Sequence, residues 1–316
     1  MADTGFYEMR SKRPSMLLRF AGWLIARRGS DFDDPVELAE KVPTRAPPRD
    51  APMPASFHDR FDVEESELED QRVVTLHPKG TGATGGGSHH ILYFHGGGFY
   101  LPTFKEHWPL TAALVEATGA SLSMALYKVV PENDWKPATA LADALYDKAR
   151  EARDPAQIVL AGDSAGGNMA LSLALRLRDA GKPLPGHVIL FAPWLDVTLE
   201  DEAARAVEAD DIMLAVDPLR QMGRWWAGQR DPKAPLVSPL YADPAGLPPI
   251  AIFQGRHDIF VVDSHSFAAN AAAKGADVKL YEYEGAPHVF MAITPTREAK
   301  DVFAKCAQIL GKRQQA

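Results

Sequence analysis

The stretch from Ile158 to Met169, IVLAGDSAGGNM, narrows the possible folds more than any other part of the chain. A short apolar run reads as a buried strand, Gly162-Asp163-Ser164-Ala165-Gly166 as a sharp turn, and the following residues as a helix. Small residues at 162, 165, 166 and 167 let a serine occupy a strained strand-to-helix corner, with its hydroxyl turned away from the backbone and into a cleft. The helix carries Met169, Leu171, Leu173, Ala174, Leu175 and Leu177 as apolar positions. Its amide-rich N-terminus points at Ser164 and favours negative charge there. A nucleophile and an anion site therefore coincide.

Strand and helix signals alternate on both sides of this corner. Residues 72–77 (RVVTLH) read as a first strand, 89–94 as a buried strand, 107–118 as a helix and 121–127 as a strand, with a helix opening near Pro137. Beyond the corner come strands at 187–192, 249–254 and 278–284, and helices at about 263–274 and 296–310. This rhythm means βαβ units and a mostly parallel central sheet flanked by helices, with active loops at the C-terminal edge of the strands.

Two segments stand outside the rhythm. Arg10, Lys12 and Arg13 precede an apolar stretch from Met16 to Ala26, which Arg19 interrupts and Arg27 and Arg28 follow. It lacks a small-residue cleavage site and is too short to span a bilayer. It reads as an amphipathic helix with Leu17, Phe20, Trp23 and Leu24 on one apolar face, lying on lipid or on the protein's own surface. Residues 31–62 turn acidic, with prolines at 35, 43, 47, 48, 52 and 54, and read as a tether. The expected division is thus 1–62 for the N-terminal helix and tether, and 63–316 for the main body. Within that body, residues 200–232 break the pattern, placing Met213, Leu214, Leu219, Met222, Trp225 and Trp226 at helical spacing. They form either an insertion that roofs the cleft or a surface helix burying two tryptophans.

Composition limits the function classes. A net charge of -8 provides no broad basic field for nucleic acid, so a small neutral partner fits better. Cys306 is the one cysteine; no intrachain disulfide can form, and a reducing cytoplasm suits the chain. Gly80 to Gly85 spell G-x-G-x-x-G, but more glycines, a serine and a strand follow where a phosphate-binding version needs a helix. No H-E-x-x-H or other metal-ligand spacing occurs. The expectation is therefore no cofactor and no metal. A homodimer is compatible with this composition.

The strand at 89–94 runs straight into His95-Gly96-Gly97-Gly98-Phe99, where glycines let backbone amides approach a substrate oxygen with no side chain in the way. A serine hydroxyl attacks well only when an imidazole takes its proton and a carboxylate holds that imidazole in the right tautomer. In open α/β folds these partners lie on strand-end loops in the order serine, acid, histidine. Asp258 and His288 satisfy that order. His107, His257 and His265 are not excluded by position, but His288 alone follows a strand end downstream of a plausible acid. Asp263 competes with Asp258 but lies farther from the strand end, where capping the next helix suits it. Asp163 is poorly aimed for His288, Tyr127 and Glu132 read as structural, and Asp196 as the tie of a loop.

These stretches, with Tyr127 to Glu132, Pro193-Trp194-Leu195-Asp196, Leu247-Pro248-Pro249 and Pro287-His288-Val289-Phe290, resemble the hormone-sensitive-lipase-like branch of the α/β-hydrolase superfamily, the bacterial carboxylesterases. The likeness runs from about residue 72 to the end. It implies an α/β-hydrolase fold with a small helical cap, Ser164 as nucleophile, His288 as base and Asp258 as orienting acid. It further implies an oxyanion hole from the amides of Gly97, Gly98 and Ala165. An N-terminal helical cap over the acyl pocket is implied too, which puts residues 16–26 on the cleft rather than on lipid, with no stable membrane insertion. The expected function is a serine carboxylic-ester hydrolase acting through an acyl-enzyme on neutral short- to medium-chain esters. Lactone hydrolysis is the same chemistry on a cyclic ester. Receptors that resemble this branch lack the catalytic histidine, whereas here all three positions are filled.

Overall fold

The computed structural model describes residues 5–28, 35–81, 87 and 89–311. Its strands are β1 (Tyr7–Ser11), β2 (Phe61–Leu68), β3 (Gln71–Pro78), β4 (His90–Phe94), β5 (Ser121–Leu126), β6 (Ile158–Asp163), β7 (His187–Phe191), β8 (Ile250–His257) and β9 (Val278–Pro287). Among the described residues they form one sheet in the order β1-β9-β8-β7-β6-β4-β5-β3-β2. All neighbours are parallel except β2 with β3 and β3 with β5. The sheet is thus the mostly parallel one expected.

The helices are α1 (Met16–Arg28), α2 (Pro35–Lys41), α3 (Phe57–Arg60), α4 (His107–Thr118), α5 (Trp135–Ala152), α6 (Ala165–Asp179), α7 (Glu202–Glu208), α8 (Val216–Ala227), α9 (Val261–Ala273) and α10 (Arg297–Ile309). Residues of α5, α6, α8 and α9 pack into one apolar cluster with one set of strand side chains, and those of α4 and α10 into a second. Strands covered on both faces need apolar side chains at every position rather than at alternate ones. The runs HILYF in β4 and IVLAG in β6 meet that need, and both are buried throughout.

Both edges of the sheet hold a strand that the sequence reading did not anticipate. β2 is acidic and half exposed, and it joins β3 through Glu69-Asp70, two residues at positive φ (50° and 53°) with no glycine or asparagine to announce the turn. β1 gains its order from β9, against which it lies in parallel, and from Arg10, which pairs with Asp301. The expected tether carries α2 and α3 as short helices, while its residues 31–34 lie outside the described set. Gly82 to Gly85 of the rejected dinucleotide motif lie outside it as well.

Register decides where the strand-end loops emerge. Phe94 pairs with Gly162, Asp163 with Phe191, and Phe191 with Phe253, so the loops after β4, β6 and β7 leave the sheet side by side. β8 runs four residues further, and after an irregularity between Gly255 and His257 its end is set against that of β9, with His257 opposite Pro287. The next residue on each strand is Asp258 on one and His288 on the other. Gly255 is required at this irregularity, because a Cβ there would collide with the carbonyl oxygen of Ala286.

Candidate active site

Ser164 occupies the corner between β6 and α6 at φ 53° and ψ -121°, a conformation that costs a non-glycine residue energy and persists only under outside constraint. The constraint is visible. The Ser164 amide donates to the Phe191 carbonyl at 2.9 Å, and its own carbonyl accepts from Trp194 N–H at 3.0 Å. A Cβ on Gly162 would collide with the Gly166 carbonyl, and one on Gly166 with the Phe94 carbonyl. Only glycine fits at either end of the turn.

His288 and Ser164 line the same cavity, of about 260 Å³. The Nδ1 of His288 is 2.8 Å from Oδ2 of Asp258, which is fully buried. Asp258 is itself held: Oδ1 accepts from Phe260 N–H at 2.9 Å and Oδ2 from Gln254 Nε2 at 2.8 Å. The ring's proton therefore belongs on Nδ1, leaving Nε2 as the free acceptor. Burial lowers the affinity of this imidazole for a second proton, but Asp258 beside it, with Asp211 and Asp163 further off, outweighs burial and raises its pKa above the ordinary value.

The glycine loop after β4 is bolted from beneath. Gly97 and Gly98 sit at φ 114° and 62°, and the Gly97 carbonyl accepts from Leu101 N–H at 2.8 Å. Among the described residues, the amides of Gly97, Gly98 and Ala165 have no protein acceptor. Asp163 holds the loop through Oδ1, which accepts from Gly96 N–H at 3.0 Å and Tyr93 OH at 2.7 Å. Its Oδ2 lies 3.5 Å from His107 Nε2, and because His107 Nδ1 accepts from Phe104 N–H at 3.1 Å, the histidine proton sits on Nε2, facing the carboxylate. Burial would push the Asp163 carboxyl up, yet His107 and Tyr93 bring it below its usual value, so it is ionised. Tyr127 completes the support: its OH donates to the His95 carbonyl at 2.7 Å and its ring stacks on the His95 imidazole at 4.1 Å. Burial and His107 push His95 down to about 3, so it is neutral.

The roof is apolar. Ile25 from α1 and Met213, Leu214, Pro218, Leu219 and Met222 from the segment before and within α8 line the cavity, so residues 200–232 do reach the site. Met222 lies so close to the glycine loop that a Cβ on Gly98 would be 2.7 Å from its sulfur. Asp196 ties the insertion's base, accepting from Thr198 N–H at 2.8 Å and Tyr241 OH at 2.8 Å.

A residue-91-to-292 match to the alpha/beta hydrolase fold family covers the glycine loop, the serine corner and both partner loops. The chain belongs to that family. An acetyl-hydrolase of Streptomyces hygroscopicus is 34% identical over 201 residues, 63% of this chain and 67% of its own length. An esterase of Acinetobacter venetianus is 33% identical over 196 residues, 60% of this chain and 63% of its own. The crystal structure of a hormone-sensitive lipase from a metagenome library superposes with a TM-score of 0.78 at 27% identity, over 95% of this chain and 99% of that one. This α/β-hydrolase thus falls in the hormone-sensitive-lipase-like branch its motifs resemble.

Within this hydrolase frame the competing residues find other places. His107 supports Asp163. His265 Nε2 is 2.6 Å from Glu282 Oε1, while its ring stacks on Tyr7, and His257 remains within β8. Asp263 is not a cap: α9 starts two residues earlier, at Val261, and no side chain caps it. Instead the carboxyl is buried in the first turn, where burial and neighbouring Asp196 push it well above the usual range. The sequence reading missed Asp211, which precedes the roof. Its Oδ1 accepts from Met213 and Leu214 N–H at 2.8 and 2.9 Å, and its Oδ2 from Ile259 N–H at 3.0 Å, one residue past Asp258. Burial and the nearby Asp258 raise it to about 6. Nothing in the local sequence distinguishes it from its neighbour Asp210. Among the described residues no cluster of three or more metal-binding side chains occurs, and no helix is long and apolar enough to cross a membrane.

Proposed function

We propose that this α/β-hydrolase is a serine carboxylic-ester hydrolase with Ser164 as nucleophile, His288 as general base and acid, and Asp258 as the orienting carboxylate. One observation carries the reading: a strained serine shares a cavity with a histidine whose far nitrogen is engaged by a buried carboxylate. Ser164 Oγ attacks the ester carbonyl as its proton passes to His288 Nε2, and the positive imidazolium is stabilised by Asp258. The carbonyl oxygen becomes an oxyanion held by the amides of Gly97, Gly98 and Ala165, each such donor being worth about 2.7–4 kcal/mol in the transition state. Collapse breaks the C–O bond, His288 returns the proton to the departing alcohol, and Ser164 is left acylated. Water, deprotonated by His288, then attacks the acyl carbon; a second oxyanion forms and collapses, breaking the bond to Ser164 Oγ, which takes the proton back from His288 as the acid leaves.

The walls support a substrate class. At about 260 Å³ the cavity lies just below the usual span of ligand sites, roughly 300–1,000 Å³, and among the described residues no lysine or arginine lines it to pair with an anionic acyl group. Neutral short- to medium-chain esters suit it. α1 and residues 200–232 form the small cap on a body that includes β1 as well as the chain from β2 onward, rather than one confined to residues 63–316. A panel of chromogenic esters of graded acyl length, run beside simple lactones, tests this reading. Turnover should peak at short to medium chains; a flat profile, or lactones preferred to all esters, would overturn the assignment.

A further inference from the structure

Helix α1 has two apolar faces, and the protein covers one of them. Leu18, Gly22 and Ile25, spaced four and three apart, face inward: Leu18 is 1% exposed, Gly22 lies over Ile212, and Ile25 lines the cavity. Ser15 fastens the N-terminus, its amide and hydroxyl each donating to Glu298 at 2.7 Å. The opposite face carries a second stripe at the same spacing, Met16, Leu17, Phe20, Trp23 and Leu24, between 45% and 86% exposed. Phe20 and Trp23 stack at 5.8 Å, and Arg27 lies over the Trp23 ring at 4.3 Å. These five are most of the large apolar side chains that the described residues expose, gathered on 13 residues. Scattered exposed apolar residues need no explanation, but a contiguous stripe marks a contact surface.

Charge identifies the occupant. The chain as a whole is at -8, yet from Met9 to Arg28 it holds six cations (Arg10, Lys12, Arg13, Arg19, Arg27, Arg28) and no carboxylate; the flanking carboxylates are Glu8, which pairs with Arg10 as Asp301 does, and Asp31, Asp33 and Asp34 past the helix. Of the six, all but Arg10 are exposed. A second copy of this chain seated on the stripe would set two such segments side by side in an isologous contact, like charge against like. An anionic surface is complementary. Tryptophan and phenylalanine on a short apolar stripe bordered by arginines match a helix lying in the headgroup layer, its aromatics among the upper acyl chains. At about 20 Å long, α1 is too short to cross a hydrocarbon core of about 30 Å. We propose that the outer face of α1 docks the enzyme in the plane of an anionic phospholipid bilayer, with the inner face still roofing the cavity. The docking does not depend on the reaction assigned above.

The test is co-sedimentation of the full chain with vesicles of phosphatidylcholine alone and of phosphatidylcholine mixed with phosphatidylglycerol. Binding is expected to the mixed vesicles only and to weaken as salt is added. Both Phe20→Ser/Trp23→Ser/Leu24→Ser and Arg19→Glu/Arg27→Glu/Arg28→Glu should lose about tenfold or more of that binding, while circular dichroism shows an unchanged fold. Wild-type protein left in the supernatant with mixed vesicles, or bound to them without any dependence on salt, overturns the proposal, and this holds even if a variant misfolds. Light scattering that finds a vesicle-free dimer, dissolved by the apolar triple variant, would assign the stripe to a second copy instead.

Discussion

The floor and the roof of the cavity are built by opposite rules. The floor is polar and held at every joint: Ser164, Asp258, His288 and the glycine loop stand at the ends of hydrogen-bonded strands, and Asp163, Tyr127 and Gln254 anchor them in turn. The roof is apolar, drawn from α1 and from residues 213–222 outside the sheet, and tied to the floor through Asp211. Proton transfer and oxyanion binding depend steeply on position, so the floor must be rigid. Apolar contact is non-directional and scales with area, so the roof can vary in shape without harming the chemistry. Rate should therefore be decided below the substrate and selectivity above it. Asp211 spans the two, with one oxygen on the roof's backbone and the other beside Asp258.

The sharpest break is Ser164→Ala, expected to lower ester turnover by about 10⁴-fold or more with no loss of fold. An organophosphate should label Ser164 alone in the wild type; a label on another serine would refute the floor as drawn. The next effect concerns pH. Protonated His288 cannot accept the serine proton, and its pKa lies above the usual value, so activity should rise with pH along a limb centred above about 6.5. A rate that is flat across that range would move the base elsewhere.

Asp211→Asn probes the joint between floor and roof. An amide in place of this carboxylate points N–H groups at a backbone N–H on one side or the other, a buried mismatch costing about 1–3 kcal/mol. It also removes a negative charge that raises His288. Turnover should fall and the pH limb should move to lower pH; lost stability with an unmoved limb would mean that Asp211 only holds the roof. The smallest effect belongs to the roof itself. Met222→Ala enlarges the space over the glycine loop and should change the ratio of longer to shorter acyl substrates by about tenfold, with little change for the shortest ester. A uniform drop across all chain lengths would show that floor and roof are not separable.

The sequence by itself determined the elements that carry strong local patterns. The runs of β4 to β9, the amphipathic order of α5 and α10 and the glycines around Ser164 are each dictated by burial or by backbone space, and these causes act over a few residues. That Asp258 and His288 stand at neighbouring strand ends was legible from the order of those ends. Tertiary structure alone decided the rest. β1 and β2 carry only two apolar residues each in alternation, Tyr7 and Met9, Phe61 and Val63, too few to mark a strand alone, and they are held by pairing with β9 and β3. Asp211 and His107 gain their places from contacts 48 and 56 residues away in the chain, with Ile259 and Asp163. Asp263 has the sequence of a helix cap but the position of a buried acid inside the first turn, because α9 begins two residues earlier, at Val261, and turns that carboxyl into the interior near Asp196. α1 shows both at once: its amphipathic character is readable from spacing, but with apolar residues on two sides, only packing could decide that Leu18 and Ile25 turn inward and Phe20 and Trp23 face out.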